Sequence, residues 1–385
     1  MFSKNDERYF STLKKLQNFR DLDLSFISGR ILGSMCTQPH PIAKEAYQYF
    51  IETNLGDPEL FPGSQQIEKE VIRFHQRLLH SPKTANGLIV SGGTEGNITA
   101  MWIAKQMTQK KEILIPETAH FSFEKIASLM DVKLIPIPVN ARYEMEASQV
   151  QQKITQKTAA VVSVAGSTEL GTIDDIPAIS DICKDEQLFL HVDAAFGGFV
   201  IPFLHRLGYD VPDFDFILPG VSSVSVDAHK MGYSMIPMGT LLIRDQTWLD
   251  SISVPSSCVS GNYQSTLLGT RSGAPVAAAY AVINYLGMDG YANVVKTCME
   301  ITHYTVKRIQ ELGLSLIQPP TMNVIAVKLH HLDKIHELLS KEGWKFNKIN
   351  RLSACRLVIM PQITRAVIDE FIPVLSKVCK KGGEL

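Results

Sequence analysis

From about residue 85 to 245 the chain alternates between two hydrophobic patterns. Short apolar runs recur as GLIVS (87–91), EILIP (112–116), VKLIPIP (132–138), AAVVSVA (159–165), LFLHVD (188–193), SVSVD (223–227) and GTLLIR (239–244). Helical stretches such as 94–108 and 176–186 separate them. Runs that are apolar at nearly every position suit strands buried on both faces, so the pattern predicts an α/β unit on a mainly parallel sheet. In such a sheet a ligand sits at the carboxyl ends of the strands, and chemistry is sought there.

After a Gly-rich turn at 269–273 the pattern changes. APVAAAYAVINYLG (274–287) reads as a buried helix. It leads to MNVIAVKL (322–329), CRLVIM (355–360) and a helix over 364–379, an α+β arrangement. The first 55 residues hold a polar helix and an irregular segment, SMCTQPHPIAKE (34–45), expected to pack onto another part of the chain. The expected division is an N-terminal segment 1–55, a large domain 56–280 and a small C-terminal domain 281–385.

Composition narrows the function classes. With 45% hydrophobic and 20% charged residues and a formal net charge of −1, the chain is an ordinary globular one without the basic footprint that nucleic acid or an anionic membrane attracts. A small-molecule partner is expected. Cys36, Cys183, Cys258, Cys298, Cys355 and Cys379 form no C-x-x-C pair, so they read as reduced thiols of a cytoplasmic chain. The start lacks the apolar core of a signal peptide and no run is long enough to cross a bilayer, so a soluble, unprocessed chain is expected. His330, His331 and His336 show no zinc-site spacing and are expected on a solvated helix face; no metal is expected.

Three motifs fall where the sheet places chemistry. SGGTEGN (91–97) follows a strand and opens a helix, so Gly93 and Thr94 could cradle a phosphate at its positive end; the same turn also suits a plain helix start. HVDAAFGG (191–198) puts Asp193 at a strand end, where a carboxylate needs a cationic or hydrogen-bonding partner such as a pyridinium nitrogen; capping the next turn is the alternative. SVSVDAHKMG (223–232) delivers Lys230 past another strand. A partly desolvated lysine forms imines with aldehydes, whereas a lone lysine after a strand is usually a solvated surface group. The ordered series of phosphate turn, ring carboxylate and imine lysine favours the chemical reading.

GGTEGN, HFSFEK (120–125), STELGTIDD (167–175), HVDAAFGGF, VDAHKMG and LGTRSG (268–273) together resemble the group II pyridoxal-phosphate decarboxylases, and most of all the short archaeal-type tyrosine/aspartate decarboxylases. The resemblance runs from about residue 30 to 375. It implies the fold type I, aspartate aminotransferase-like architecture, pyridoxal 5'-phosphate carried on Lys230, and Asp193 on the pyridinium nitrogen. It further implies His120 stacked on the ring, Thr168 and Ala195 lining it, and His229 beside the phosphate. Thr270 would reach the phosphate from a partner subunit, making the active site a property of a homodimer. Arg356, in a strand of the small domain, is the candidate to grip a substrate carboxylate, with Arg271 and Arg351 as rivals and an ordinary ion pair as the alternative.

The implied reaction is decarboxylation of an L-amino acid, tyrosine or aspartate, to its amine and CO2. Relatives return a proton to Cα from a loop tyrosine, and Cys258 stands at that place here. Tyr263 or Tyr233 is expected to take the role. Otherwise the outcome shifts to an aldehyde, with a carbon–carbon lyase or a catalytically silent homologue as the remaining readings.

Overall fold

The computed structural model describes residues 7–256 and 263–385. All seven apolar runs are strands: β1 (Asn86–Val90), β2 (Glu112–Pro116), β3 (Lys133–Ile137), β4 (Thr158–Val164), β5 (Phe189–Asp193), β6 (Val221–Val226) and β7 (Gly239–Ile243). They form one sheet in the order β1-β7-β6-β5-β4-β2-β3. Only β7 opposes its neighbours, running antiparallel to β1 and β6. The carboxyl ends of β1, β2, β4, β5 and β6 therefore share one edge.

The continuous apolarity of these runs has a direct cause. In β4, Val161 enters one hydrophobic cluster and Val162 the cluster on the opposite face; Leu242 and Leu241 of β7 divide in the same way. One face is covered by Met101 and Ile103 of helix α4 and Phe123 of α5, the other by Phe74 of α3, Phe203 of α8 and Tyr291 of α9. The helices, in chain order, are α1 (Glu7–Arg20), α2 (Pro41–Tyr49), α3 (Pro62–Leu78), α4 (Gly93–Thr108), α5 (Ser122–Met130), α6 (Ala147–Lys153), α7 (Ile176–Asp185), α8 (Ile201–Arg206), α9 (Ala274–Glu311), α10 (Leu332–Lys341) and α11 (Arg365–Gly382). Each fully buried aromatic or aliphatic side chain in these clusters contributes about 1.5–3 kcal/mol relative to exposure.

Helix α9 departs from the sequence expectation, which ended it at Gly287. There the backbone turns left-handed (φ 57°), a conformation glycine tolerates, and the helix resumes to Glu311. Buried positions continue beyond the kink at Tyr291, Val295, Cys298 and Met299.

After a two-residue ladder of β8 (Val254–Pro255) with β9 (Tyr263–Gln264), the small sheet follows: β10 (Val324–Lys328), β11 (Asn347–Ile349) and β12 (Ala354–Val358), antiparallel in the order β10-β12-β11. Its core of Leu357, Trp344 and Phe371 is separate from the clusters on the large sheet. The N-terminal segment ties the two together. Leu32 N–H donates to Lys345 O at 2.7 Å and Leu32 O accepts from Val358 N–H at 2.6 Å, while Ala43 and Leu55 are buried in the large cluster. Among the described residues no helix is long and apolar enough to cross a membrane.

Candidate active site

At the shared strand edge lies a cavity of about 330 Å³. Gly93, Thr94, His120, Thr168, Asp193, Ala195, His229 and Lys230 all line it, brought from the ends of β1, β2, β4, β5 and β6. Thr270 does not; it lines a different cavity with Arg271, Pro275 and Val276.

One end is an anion cradle. Helix α4 begins after Gly92 with no side chain capping it, so its first N–H groups face the cavity with the positive end of the helix dipole. A Cβ on Gly92 (φ 152°) would come within 3.0 Å of the His229 ring, and one on Gly93 within 2.9 Å of the Ala195 methyl. Only glycine permits so close an approach. His229 is held by its Nδ1, 2.8 Å from Met238 O.

Lys230 stands beside this cradle with its Nζ 3.1 Å from Asp227 Oδ2. Asp227 is buried, and its Oδ1 has no hydrogen-bond partner. Such an oxygen is costly in a closed protein interior and marks a place built for a further group.

Asp193, at the end of β5, is fixed on both oxygens: Oδ1 accepts from Ala195 N–H at 3.1 Å and Oδ2 from Asn97 Nδ2 at 2.8 Å. His120 follows β2 with its Nδ1 accepting from Ser122 N–H at 3.3 Å. Burial lowers its pKa, against the opposing pull of the Asp193 charge, so the imidazole favours its neutral form.

The three arginines separate clearly. Arg271 pairs with Glu68 at 2.6 Å, and Arg351 pairs with Glu169. Arg356 is buried and has no carboxylate in contact; its Nη1 donates to Thr168 O at 2.5 Å, its Nη2 to Gly33 O at 2.7 Å, and its Nε has no partner. Desolvation pushes its pKa down to about 10, with Glu169 raising it. Arg356 thus acts on the cavity wall through Thr168 without itself lining it.

Of the proton-donor candidates, Tyr263 is in β9 with 68% exposure and outside the cavity. Tyr233 is partly buried, which pushes its phenol up to about 12. Cys258 lies outside the described residues. The histidines of the small domain need one correction: His330 and His331 precede α10 rather than lying on it, and His330 sits 3.2 Å from Glu384, while His336 packs edge-on against Phe346. Among the described residues no group of three or more His, Cys, Asp and Glu could hold a metal.

Sequence reasoning missed two residues of the site. Asp227 is a carboxylate at a strand end, the same signal that singled out Asp193. Asn97 lies one helical turn after Gly93, on the face of α4 turned to the sheet.

A family model described as the pyridoxal-dependent decarboxylase conserved domain matches residues 40–329. The chain is 42% identical to an L-aspartate decarboxylase of Thermococcus kodakarensis over 99% of this chain and all of that one. It is 40% identical to a probable L-tyrosine/L-aspartate decarboxylase of Methanosphaera stadtmanae, again over 99% of this chain and all of that one. Among solved structures, a sphingosine-1-phosphate lyase of Burkholderia pseudomallei superposes with a TM-score of 0.89 at 26% identity, covering 99% of this chain and 92% of that one. Fold and comparisons define the class, a fold type I pyridoxal-phosphate enzyme. The chain belongs to the pyridoxal-dependent decarboxylase family; it is a carboxy-lyase acting on an amino acid, and its cofactor is pyridoxal phosphate. The residues present fit that cofactor: an uncapped helix start for its phosphate, a fixed buried carboxylate for its ring nitrogen and a lysine paired with an acid whose second oxygen has no partner.

Proposed function

We propose that this protein decarboxylates an acidic L-amino acid, L-aspartate in the first place, in a cytoplasmic homodimer. The observation that carries decarboxylation is Arg356, a buried guanidinium without a carboxylate partner, bonded to the wall of the Lys230 cavity on the side of the leaving α-carboxylate; the choice of aspartate rests on the relatives. The Thermococcus kodakarensis and Methanosphaera stadtmanae relatives, both named for L-aspartate, support the substrate.

Lys230 carries the cofactor through Nζ. Gly93, Thr94 and His229 would hold its phosphate, Asp193 would hold its ring nitrogen, His120 would cover its ring, and Ala195 and Thr168 would line the remaining wall. When bound, pyridoxal phosphate supplies an electron sink for the pair left behind as CO2 departs. Arg356, behind the cavity wall, holds the Thr168 carbonyl and sets a positive charge on the side of the departing carboxylate, and the small Ala195 lets the reacting part of the substrate lie close to the backbone. A neutral His120 covers the site without placing a second cation beside Lys230. Proton return to Cα falls to Tyr263, or to Tyr233.

Thr270, which lines a neighbouring cavity and not its own chain's Lys230 cavity, supports delivery to a partner subunit's phosphate. The unpaired thiols Cys36, Cys183, Cys298, Cys355 and Cys379 support a reducing compartment.

The test is a panel. Purified protein loaded with pyridoxal phosphate is incubated with L-aspartate, L-glutamate and L-tyrosine, and CO2, amine and aldehyde are quantified by mass. Preferred release of CO2 and β-alanine from L-aspartate is expected; faster turnover of L-tyrosine overturns the substrate assignment.

A further inference from the structure

Asn97 is fully buried at the first turn of α4, and all of its amide valences are used. Its Nδ2 donates to Asp193 Oδ2 at 2.8 Å and to Ser122 Oγ at 3.1 Å. Its Oδ1 takes two contacts, from Ser225 Oγ at 3.0 Å and His191 Nε2 at 2.9 Å. The other nitrogen of His191 lies 2.8 Å from Ser223 Oγ.

Only one set of proton positions is consistent with these contacts. A carboxylate can only accept, so Nδ2 must face Asp193 and Oδ1 must face His191. Oδ1 can only accept in turn, so His191 must carry its proton on Nε2, and Nδ1 then accepts from the Ser223 hydroxyl. His191 is fully buried, and desolvation lowers its pKa to about 4, so it is neutral and has one proton to give. The order is thus polarised from Ser223 through His191 and Asn97 to Asp193. Reversing the Asn97 amide would set lone pairs against the carboxylate at one end and the imidazole N–H against an NH2 at the other.

We propose that Asn97, oriented by His191, is the positioning residue that holds the Asp193 carboxylate ready for the ring nitrogen of the cofactor. An amide suits this task because it donates without charge. A lysine or arginine at the same place would neutralise the carboxylate and weaken its hold on a pyridinium, whereas an acid would repel it. With Ala195 N–H on one oxygen and Asn97 on the other, the carboxylate plane is fixed and its remaining lone pairs face the cavity. Asn97 lines the same cavity. The inference rests on the assignment of Asp193 to the ring nitrogen.

The experiment uses pyridoxal phosphate labelled with ¹⁵N in the ring, bound to the full-length protein, and reads the nitrogen's chemical shift, which reports its protonation. Wild type should show a protonated nitrogen, and Asp193→Asn an unprotonated one. Asn97→Ala should move the resonance toward the Asp193→Asn position and slow turnover by about 10- to 100-fold, the size of one lost hydrogen bond to a charged group. The double variant should match Asp193→Asn in both readouts, because Asn97 then has nothing left to act on. His191→Phe, which keeps the ring's bulk and removes the Nε2 donor, provides a second route should Asn97→Ala not fold, and should shift the resonance in the same direction by less.

An unchanged resonance in Asn97→Ala and His191→Phe, with only the melting temperature lowered, overturns the proposal and leaves Asn97 a packing residue. Losses in turnover that add fully in the double variant overturn it as well. A protonated nitrogen in Asp193→Asn removes the underlying assignment instead, so the two failures are distinct.

Discussion

Lys230 Nζ and Asp227 Oδ2 lie 3.1 Å apart at the edge of the phosphate cradle, and the second oxygen of Asp227 is buried without a partner. A lysine held by a buried acid is in place to meet an aldehyde and is kept off the surface where most lysines lie. Borohydride reduction of the loaded protein followed by peptide mapping should place the pyridoxyl group on Lys230. Attachment at any other lysine would overturn the central assignment. Asp227→Asn should slow capture of pyridoxal phosphate, measured by stopped-flow absorbance, since an uncharged amide holds the amine less firmly.

Much of this was legible in the chain because each signal came from one segment. The seven apolar runs, the turn at Gly93, the carboxylate after β5 and the lysine after β6 each sit within a few residues of a strand end, so pattern and chemistry coincide locally. What was illegible depends on distant pairings. Arg271 and Arg351 rivalled Arg356 until Glu68 and Glu169 were seen to occupy them, and neither acid is near its arginine in sequence. Asn97 acquires meaning only when α4 lies across β5 and β6, bringing His191, Asp193 and Ser225 to its amide. The extension of α9 was hidden because a glycine looks like a stop in sequence and is a kink in space.

Two buried histidines make stability depend on pH. Burial lowers His75 and His191 to about 4 from an ordinary 6.5. Between those values the unfolded chain binds protons that the folded chain refuses, so stability is fully present above pH 6.5 and is lost as pH falls toward 4. Each contributes up to about 3 kcal/mol over that window. The buried Asp174 carboxyl, pushed up to about 7 by burial, works in the opposite direction over the same window, so the histidine contribution is read by comparing urea unfolding of wild type and His75→Phe at pH 7 and pH 5. His75→Phe should lose less stability than wild type between the two values; an unchanged pH dependence would mean that His75 is not held neutral in the fold.

Arg356 should separate substrate from product. Arg356→Lys keeps the charge but cannot span Thr168 and Gly33 with a planar fork and so moves that charge from behind the cavity wall, which makes it a non-conservative change. Turnover efficiency with L-aspartate should fall by at least about 30-fold, the usual lower range for a buried charge pair broken on one side. The product amine lacks the α-carboxylate, so its inhibition constant should hardly move. Equal losses for substrate and product would assign Arg356 to the structure of the wall rather than to carboxylate recognition.

Proton return to Cα is the step for which the family resemblance leaves the acid open, since counting back from LGTR puts Cys258 at the place expected for the loop tyrosine. The two tyrosines nearest in sequence to that place and to Lys230 differ in their suitability. Tyr233 is partly buried and its phenol is pushed up to about 12, which makes it a poor acid near neutral pH, whereas Tyr263 is exposed next to the segment that holds Cys258. A positioned general acid typically contributes about 100- to 10,000-fold in rate. Tyr263→Phe should therefore slow amine formation within that range, and Cys258→Ser should change little. If wild type already lacks a positioned acid, aldehyde should accompany amine, with the amino group left on the cofactor, and Cys258→Tyr should shift the products toward amine. An amine-to-aldehyde ratio and an amine rate unmoved in all three variants would remove Tyr263 from the reaction and direct the same measurement to Tyr233→Phe.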